Sequence, residues 1–206
     1  MAGGSGRPFI ELLRKGGWHS GGRETPCGAG ATLAYTAAIR ADLPRLFKEY
    51  GIGSVVDAGC GDFNWLSAVD LSGIDYLGLD VVPELIAGNT RKYAVPNIRF
   101  AVRDIAAKAL PPCDLTLCRF VLIHLPTAQA LRFLRNIQSK YLLAGTYPDA
   151  FNAPAPRDWE GWAAARNFRP VNLEKPPFDL PEPLERLPDW VPGYPCHHLG
   201  LWRLNR

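Results

Sequence analysis

The stretch Ser54–Leu66, SVVDAGCGDFNWL, decides the fold. Its apolar start predicts a short buried β-strand that ends near Asp57. Gly59 and Gly61 follow directly, and glycines let the chain turn tightly and let a ligand approach the backbone. Ligands of open parallel sheets bind beyond the carboxyl ends of the strands. The stretch therefore predicts one wall of a binding crevice.

Strand-like and helix-like segments alternate from Ala31 to Thr146. The helical segments are ATLAYTAAIRADLPRLFKEYGI, PELIAGNTRKYA and TAQALRFLRNIQSK, and the further strands are IDYLGLD, NIRFAVRD, CDLTLCRF and KYLLAGTY. We also expect a helix to open at Asp62, and the first helix to restart around Asp42 and Pro44. Such alternation predicts an α/β fold with a Rossmann-like, mostly parallel sheet.

Acidic residues lie at the ends of three successive predicted strands. Asp57 and Asp62 flank the glycine turn, and these charges would repel a pyrophosphate while favouring a ligand with cationic groups. Asp80 follows Asp57 by 23 residues, where an acid can accept both ribose hydroxyls. Asp104 ends the third strand, where it can meet an adenine amino group. The pattern fits S-adenosylmethionine, which carries an ammonium, a sulfonium and no phosphate. For each acid the structural alternative is a helix N-cap.

The segments VVDAGCGDFNWL, YLGLDVV and IRFAVRDI resemble the successive motifs of class I S-adenosylmethionine-dependent methyltransferases. LTLCRFVLIHLP resembles the segment after their fourth strand. The chain is similar to small bacterial members of this family in four motifs, DxxCGDFNW, CRxxLxHL, RPVNLxxPPF and LGLW. The sugar O-methyltransferases of mycobacterial methylmannose polysaccharide assembly look like relatives. The resemblance implies seven strands, the last antiparallel, with HHLGLWRL as that strand. The C-terminal part of the chain has no obvious final helix before HHLGLWRL, which leaves the sixth strand unassigned.

The resemblance also implies site residues. Asp57, Gly59 and Gly61 would contact the methionine part of the cofactor, Asp80 the ribose, and Asp104 with Ile105 the adenine. The complete set of predicted cofactor residues is Asp57, Ala58, Gly59, Gly61, Asn64, Trp65, Asp80, Asp104, Ile105 and Arg119.

His124 is the predicted catalytic residue. It interrupts the apolar run FVLIHLP just after the fourth strand, and histidine is the commonest general base near neutral pH. A core histidine bonded to a backbone carbonyl is the alternative. The sequence places Arg119-Phe120-Val121 where base and amide N-methyltransferases usually carry an Asn/Asp-Pro-Pro-aromatic motif. This difference argues against N-methylation of nucleic-acid bases or protein amides. The resemblance then implies methyl transfer to a hydroxyl of a small acceptor, with a carbohydrate favoured. Mg²⁺ could assist as a Lewis acid, although no ligand cluster is recognisable.

Both ends of the chain could contribute to the acceptor side. Residues 1–30 are predicted to be a flexible lead-in or a lid that brings Trp18 near the sulfonium, with His19 beside it. Residues 31–146 form the cofactor-binding core of a single domain spanning 1–206, and 147–206 form a Pro/Trp-rich extension ending in the terminal strand. A disordered tail is the alternative. The predicted substrate-binding residues are Trp18, Tyr147, Arg169, Asn172 and Glu174, and we interpret His197 and His198 as a surface pair.

Composition limits the other possibilities. The net charge of +3 and the absence of a clustered basic patch argue against a nucleic-acid partner. The five cysteines are odd in number and form no CxxC pair, which favours reduced thiols in a cytoplasmic protein. No segment approaches membrane-spanning length. A homodimer is the default oligomer.

Three rival functions stay open. A nicotinamide-dependent oxidoreductase would need a phosphate-binding glycine loop, and Asp57, Asp62 and Asn64 argue against one. A catalytically silent cofactor-binding module would bind the donor but transfer no methyl group. A methyltransferase acting on nitrogen, of a small molecule or of nucleic acid, is the third.

Overall fold

A seven-stranded sheet forms the centre of the computed structural model, which describes residues 6–18, 22–152, 169–189 and 196–204. The strand order is β3-β2-β1-β4-β5-β7-β6. Strands β1 to β5 pair in parallel, whereas β7 pairs antiparallel with both β5 and β6. The strands are β1 Ser54–Ala58, β2 Asp75–Asp80, β3 Ile98–Val102, β4 Cys113–Cys118, β5 Ser139–Thr146, β6 Glu185–Pro188 and β7 His198–Arg203. The predicted Rossmann-like α/β fold with an antiparallel last strand is confirmed.

The α-helices of the described ranges are α1 Arg7–Arg14, α2 Ala37–Glu49, α3 Pro83–Tyr93 and α4 Thr127–Asn136. Helix α3 begins with Pro83, whose missing N–H costs nothing in the first turn. Pro44 lies inside α2, so the expected restart of this helix was wrong. The helix expected to open at Asp62 was also wrong, because the chain there forms turns and a 3₁₀ turn at Leu66–Ala68.

The two faces of the sheet carry separate apolar clusters. One face packs against Leu43 and Leu46 of α2, and the other packs against Phe133 of α4. Val171 and Leu173 of the C-terminal extension are fully buried in the second cluster, so this part of the extension packs onto the fold. His19, Trp159, Trp162 and Trp190 lie outside the described residues.

Strand β6 supplies the sixth strand, for which the sequence shows no clear segment. Strand β6 pairs with one edge of β7, and β5 pairs with the other edge. The terminal strand is therefore an interior strand and not an edge. His198 at its start is buried, at 8% exposure.

Candidate active site

A cavity of about 450 Å³ opens beyond the carboxyl ends of β1, β2, β3 and β4. This is where parallel sheets of this topology bind their ligands. The turn after β1 and residues of the N-terminal segment, among them Phe9 and Trp18, both line the cavity. The predicted cofactor residues in its lining are Gly59, Gly61, Trp65, Asp80, Asp104, Ile105 and Arg119, joined by His124, Trp18 and Tyr147.

The glycine turn leaves no room for side chains. Gly59 has φ +96°, and a Cβ there would lie 2.2 Å from the Val121 side chain. The backbone N–H of Gly59 donates to the Leu79 carbonyl at 2.8 Å, which fixes the turn against β2. Gly61, at φ +56°, would direct a Cβ to 3.0 Å from the Cys27 sulfur. The turn therefore presents bare backbone to the cavity.

Asp80 holds the end of β2 against this turn. Its carboxylate accepts hydrogen bonds from the Gly61 N–H at 3.1 Å and the Val82 N–H at 2.9 Å. Burial raises the pKa of Asp80, and the backbone donors partly offset that rise. A carboxylate has about four lone-pair positions, so these two donors leave acceptor capacity for ligand hydroxyls.

Asp104 and Ile105 line the same cavity after β3. The Asp104 carboxylate accepts the Ala106 N–H at 2.9 Å, and the Ile105 carbonyl accepts the Asn136 amide at 3.0 Å. These contacts fix the turn that closes this end of the cavity.

Asp57 lies beneath the cavity. It is 4% exposed and accepts a hydrogen bond of 2.8 Å from the Tyr76 hydroxyl. Desolvation by burial raises the pKa of Asp57 to about 7, although the Tyr76 bond opposes the rise. Neither Asp57 nor Ala58 belongs to the described cavity lining. The structure therefore places Asp57 as a buried support under the glycine turn rather than at the cavity surface.

Asn64 also supports the wall. Its amide donates to the Glu24 carboxylate at 2.8 Å and to the Ala31 carbonyl at 2.9 Å, and it lies outside the described lining. Trp65 does line the cavity, and the Arg119 guanidinium lies 5.4 Å from its ring centroid.

Arg119 lines the cavity, and its guanidinium is held by two other parts of the chain. Its Nε and Nη2 donate to the two Asp189 oxygens, both at 2.8 Å, and Nη1 donates to the Gly30 carbonyl. The guanidinium also lies 4.2 Å from the Phe120 ring centroid. Arg119 therefore joins the turn after β4 to both ends of the chain.

His124 ends a 3₁₀ turn, Leu122–His124, and lines the cavity. Phe9 of α1 lies edge-on to its ring at 6.2 Å between centroids, and Trp18 lies at 5.8 Å. Gly17, at φ +72°, returns the chain so that the Trp18 N–H donates to the Pro26 carbonyl at 3.0 Å. The N-terminal segment thus contributes two aromatic rings to the surroundings of His124.

The predicted substrate residues of the extension have mostly internal partners. The Asn172 amide donates to the Pro148 carbonyl at 2.6 Å, and Arg169 donates to the Leu125 carbonyl at 3.1 Å. Glu174 forms an ion pair with Arg186 at 3.0 Å. Arg169, Asn172 and Glu174 lie outside the described lining, whereas Tyr147 is part of it.

The interpretation of His197 and His198 as a surface pair was wrong, because both are buried, at 4% and 8% exposure. His197 Nδ1 lies 2.7 Å from the Asp189 carbonyl oxygen, and its ring packs 4.4 Å from Tyr147 between centroids. Burial lowers the pKa of both histidines. A buried, neutral His197 thus supports the cavity wall behind Tyr147.

Within the described ranges, no group of three His, Cys, Asp or Glu side chains is placed to hold a metal ion. All five cysteines are unpaired thiols, and Cys60 and Cys118 are buried. None of the helices in the described part of the chain is long and apolar enough to cross a bilayer.

Sequence reasoning missed three parts of the site. Phe9 lies on α1, and the stretch Cys27–Ala31 lines the cavity. Pro8 near the helix start and the Arg7/Glu11 pair four residues apart are signals that could have revealed α1. Asp189 gives no such signal, since its partner Arg119 lies 70 residues away.

Comparisons with known proteins support the fold. No protein-family model and no curated protein matches the chain. Among solved structures, the N-methyltransferase NodS from Bradyrhizobium japonicum, in complex with S-adenosylhomocysteine, is similar with a TM-score of 0.64 and 16% identity, over 97% of this chain and 100% of NodS.

Two further structures agree. The methyltransferase domain of bacterial CtHen1 aligns with a TM-score of 0.56 and 13% identity, over 82% of this chain and 100% of that domain. The mitomycin 7-O-methyltransferase MmcR aligns with a TM-score of 0.61 and 17% identity, over 84% of this chain but only 54% of MmcR. The protein therefore has the Rossmann-like fold of S-adenosylmethionine-dependent methyltransferases.

Proposed function

We propose that the protein is an S-adenosylmethionine-dependent O-methyltransferase acting on a hydroxyl of a small acceptor. One observation carries the proposal. The cavity combines a bare glycine turn with three carboxylates: Asp62 directly after that turn, Asp80 at the end of β2 and Asp104 just beyond β3. Such a rim favours a cationic nucleoside and disfavours phosphate oxygens.

The described residues suit such a donor. The Asp80 carboxylate would accept the ribose hydroxyls, and Asp104 with Ile105 would border the adenine. The backbone of Gly59 and Gly61 would lie against the methionine part, with Asp57 acting beneath the turn. When bound, S-adenosylmethionine would supply a methyl group activated by the positive charge on its sulfur. Transfer of the methyl group leaves that sulfur as a neutral thioether.

His124 would take the acceptor proton. As the acceptor oxygen forms its bond to the methyl carbon, the hydroxyl proton passes to the imidazole and then to solvent. Phe9 and Trp18 beside His124 would exclude water and restrict the acceptor's orientation. A general base of this kind contributes roughly a hundredfold or more to the rate.

The acceptor class is a narrower proposal. The resemblance of the sequence favours a carbohydrate, and aromatic faces such as Trp18 can stack on the apolar face of a sugar ring. We likewise still predict a homodimer, a cytoplasmic location and no nucleic-acid partner.

The test is incubation with methyl-labelled S-adenosylmethionine and a panel of mannosides, other oligosaccharides, phenols and amines, followed by mass spectrometry of the products. We expect label on a hydroxyl oxygen. Label only on nitrogen would show that the protein is an N-methyltransferase. Tight binding of the donor with no methylated product would indicate a catalytically silent binding module.

His124→Ala tests the base, and Gln138→Ala, an exposed site, is the matched control. We expect the turnover of H124A to fall roughly a hundredfold with donor affinity unchanged. The control should retain the activity of the original protein. Unaltered turnover in H124A would remove His124 from the mechanism.

A further inference from the structure

The side chains of Arg119 and Asp189 form a buried ion pair beside the cavity. They are 5% and 0% exposed, and two parallel N–H···O bonds of 2.8 Å join them. This bidentate geometry fixes the plane of the guanidinium more firmly than a single contact could. Removing one partner of such a pair leaves an uncompensated buried charge.

The fixed guanidinium has a further donor. Arg119 Nη1 donates to the carbonyl of Gly30, which belongs to the cavity-lining stretch Cys27–Ala31. Gly30 also packs closely on the Phe120 ring, where an added Cβ would lie 2.5 Å from a ring carbon. The position of this wall therefore depends on where Arg119 points.

The same stretch faces the glycine turn. A Cβ on Gly61 would lie 3.0 Å from the Cys27 sulfur, so the two segments are in close contact. The Asn64 bond to the Ala31 carbonyl, 2.9 Å, anchors the end of the stretch. Arg119 and Asn64 thus hold neighbouring carbonyls of one wall.

We propose that Asp189 is a positioning residue for the cofactor end of the cavity. Its carboxylate orients Arg119, Arg119 holds the Gly30 carbonyl, and the stretch Cys27–Ala31 is thereby kept at the distance from the glycine turn that the donor requires. Asp189 belongs to the C-terminal extension, so this segment helps to shape the cofactor site as well as the acceptor side. The inference rests on the proposed function for the identity of the ligand.

Binding of S-adenosylhomocysteine, measured by isothermal titration calorimetry, tests the proposal without requiring an acceptor. The variants are Asp189→Asn and the double variant Arg119→Met/Asp189→Leu, which removes both charges together. Asp75→Asn is the matched control, because Asp75 pairs with Arg99 at 2.8 Å at the opposite end of the sheet. Circular dichroism at the assay temperature establishes that each variant is folded.

We expect D189N to bind about tenfold more weakly. The double variant should regain thermal stability relative to D189N, since no buried charge is left unpaired, but its affinity should stay about tenfold below that of the original protein. The D75N control should bind normally.

The outcomes distinguish the positioning role from the proposed function. A double variant that recovers both stability and affinity would show that the pair is only structural and would overturn the positioning role. Failure of the original protein to bind S-adenosylhomocysteine would instead refute the proposed function.

Discussion

Replacing Asp57 by asparagine should change how the stability of the protein depends on pH. The buried carboxyl has a pKa of about 7, against an ordinary value of 3.8. Each pH unit of that difference is worth about 1.4 kcal/mol, so ionised Asp57 costs the folded state about 4 kcal/mol. The Tyr76 hydroxyl, which donates to the Asp57 carboxylate, can also donate to the amide oxygen of the substituted side chain, so the variant keeps a hydrogen-bond partner for it.

The direction follows from linkage. The pKa of Asp57 is higher in the folded protein than in the unfolded chain. Its stabilising contribution to the free energy of unfolding is therefore fully present below about pH 4, which is close to its pKa in the unfolded chain. It falls as the pH rises to about 7 and is constant above that. The amide of the D57N variant does not titrate, so this variant lacks the fall.

Urea denaturation from pH 4 to pH 8, for both proteins, measures the effect. We expect the free energy of unfolding of the original protein, minus that of D57N, to decrease by about 4 kcal/mol across this range. Taking the difference cancels the titration of distant groups. A difference that stays constant with pH would refute the assignment of Asp57 as a buried, destabilised carboxylate.

Three further perturbations test other parts of the site. Gly59→Ala should destabilise the protein by about 2–5 kcal/mol in urea denaturation, because of its positive φ and the contact with Val121, whereas Gly88→Ala, with open space around it, should not. Deleting residues up to Gly22 should weaken binding of S-adenosylhomocysteine about tenfold, because Phe9 and Trp18 line the cavity; unchanged affinity would discard the lid. Treatment with EDTA should leave turnover unchanged, and lost activity restored by Mg²⁺ would establish a metal requirement.

Local pattern was sufficient for the fold and for part of the site. Asp80 and Asp104 could be placed at the cavity because each lies at the carboxyl end of a strand, and the carboxyl ends of parallel strands meet at one edge of the sheet. Gly59 could be placed because a tight turn after β1 needs a residue without a side chain.

The orientation of Asp57 could not be read in the same way. Strand β1 is buried on both faces, so its sequence shows no alternation to tell which face a side chain occupies. Asp57 accepts the hydroxyl of Tyr76 and is not among the residues that line the cavity.

The burial of the two histidines before LGLW was missed for two reasons. The four-residue strand β6, which pairs with β7 at His198, carries no clear strand pattern. The sequence also does not show that His197 contacts Asp189 and Tyr147.

The contacts of Arg119 were beyond sequence reasoning for a different reason. Asp189 and Gly30 come from opposite ends of the chain, and tertiary packing alone brings them to one guanidinium. The same holds for Phe9 and Trp18, whose approach to His124 depends on how α1 packs.

The most direct test compares the thermal stability of the protein with S-adenosylhomocysteine and with NAD⁺. We predict that S-adenosylhomocysteine at 100 times its dissociation constant adds about 2.7 kcal/mol of stability, seen as a higher Tm, and that Asp80→Asn lowers this gain. Stabilisation by NAD⁺ with no response to S-adenosylhomocysteine would contradict a cavity built for a phosphate-free nucleoside that carries an ammonium group.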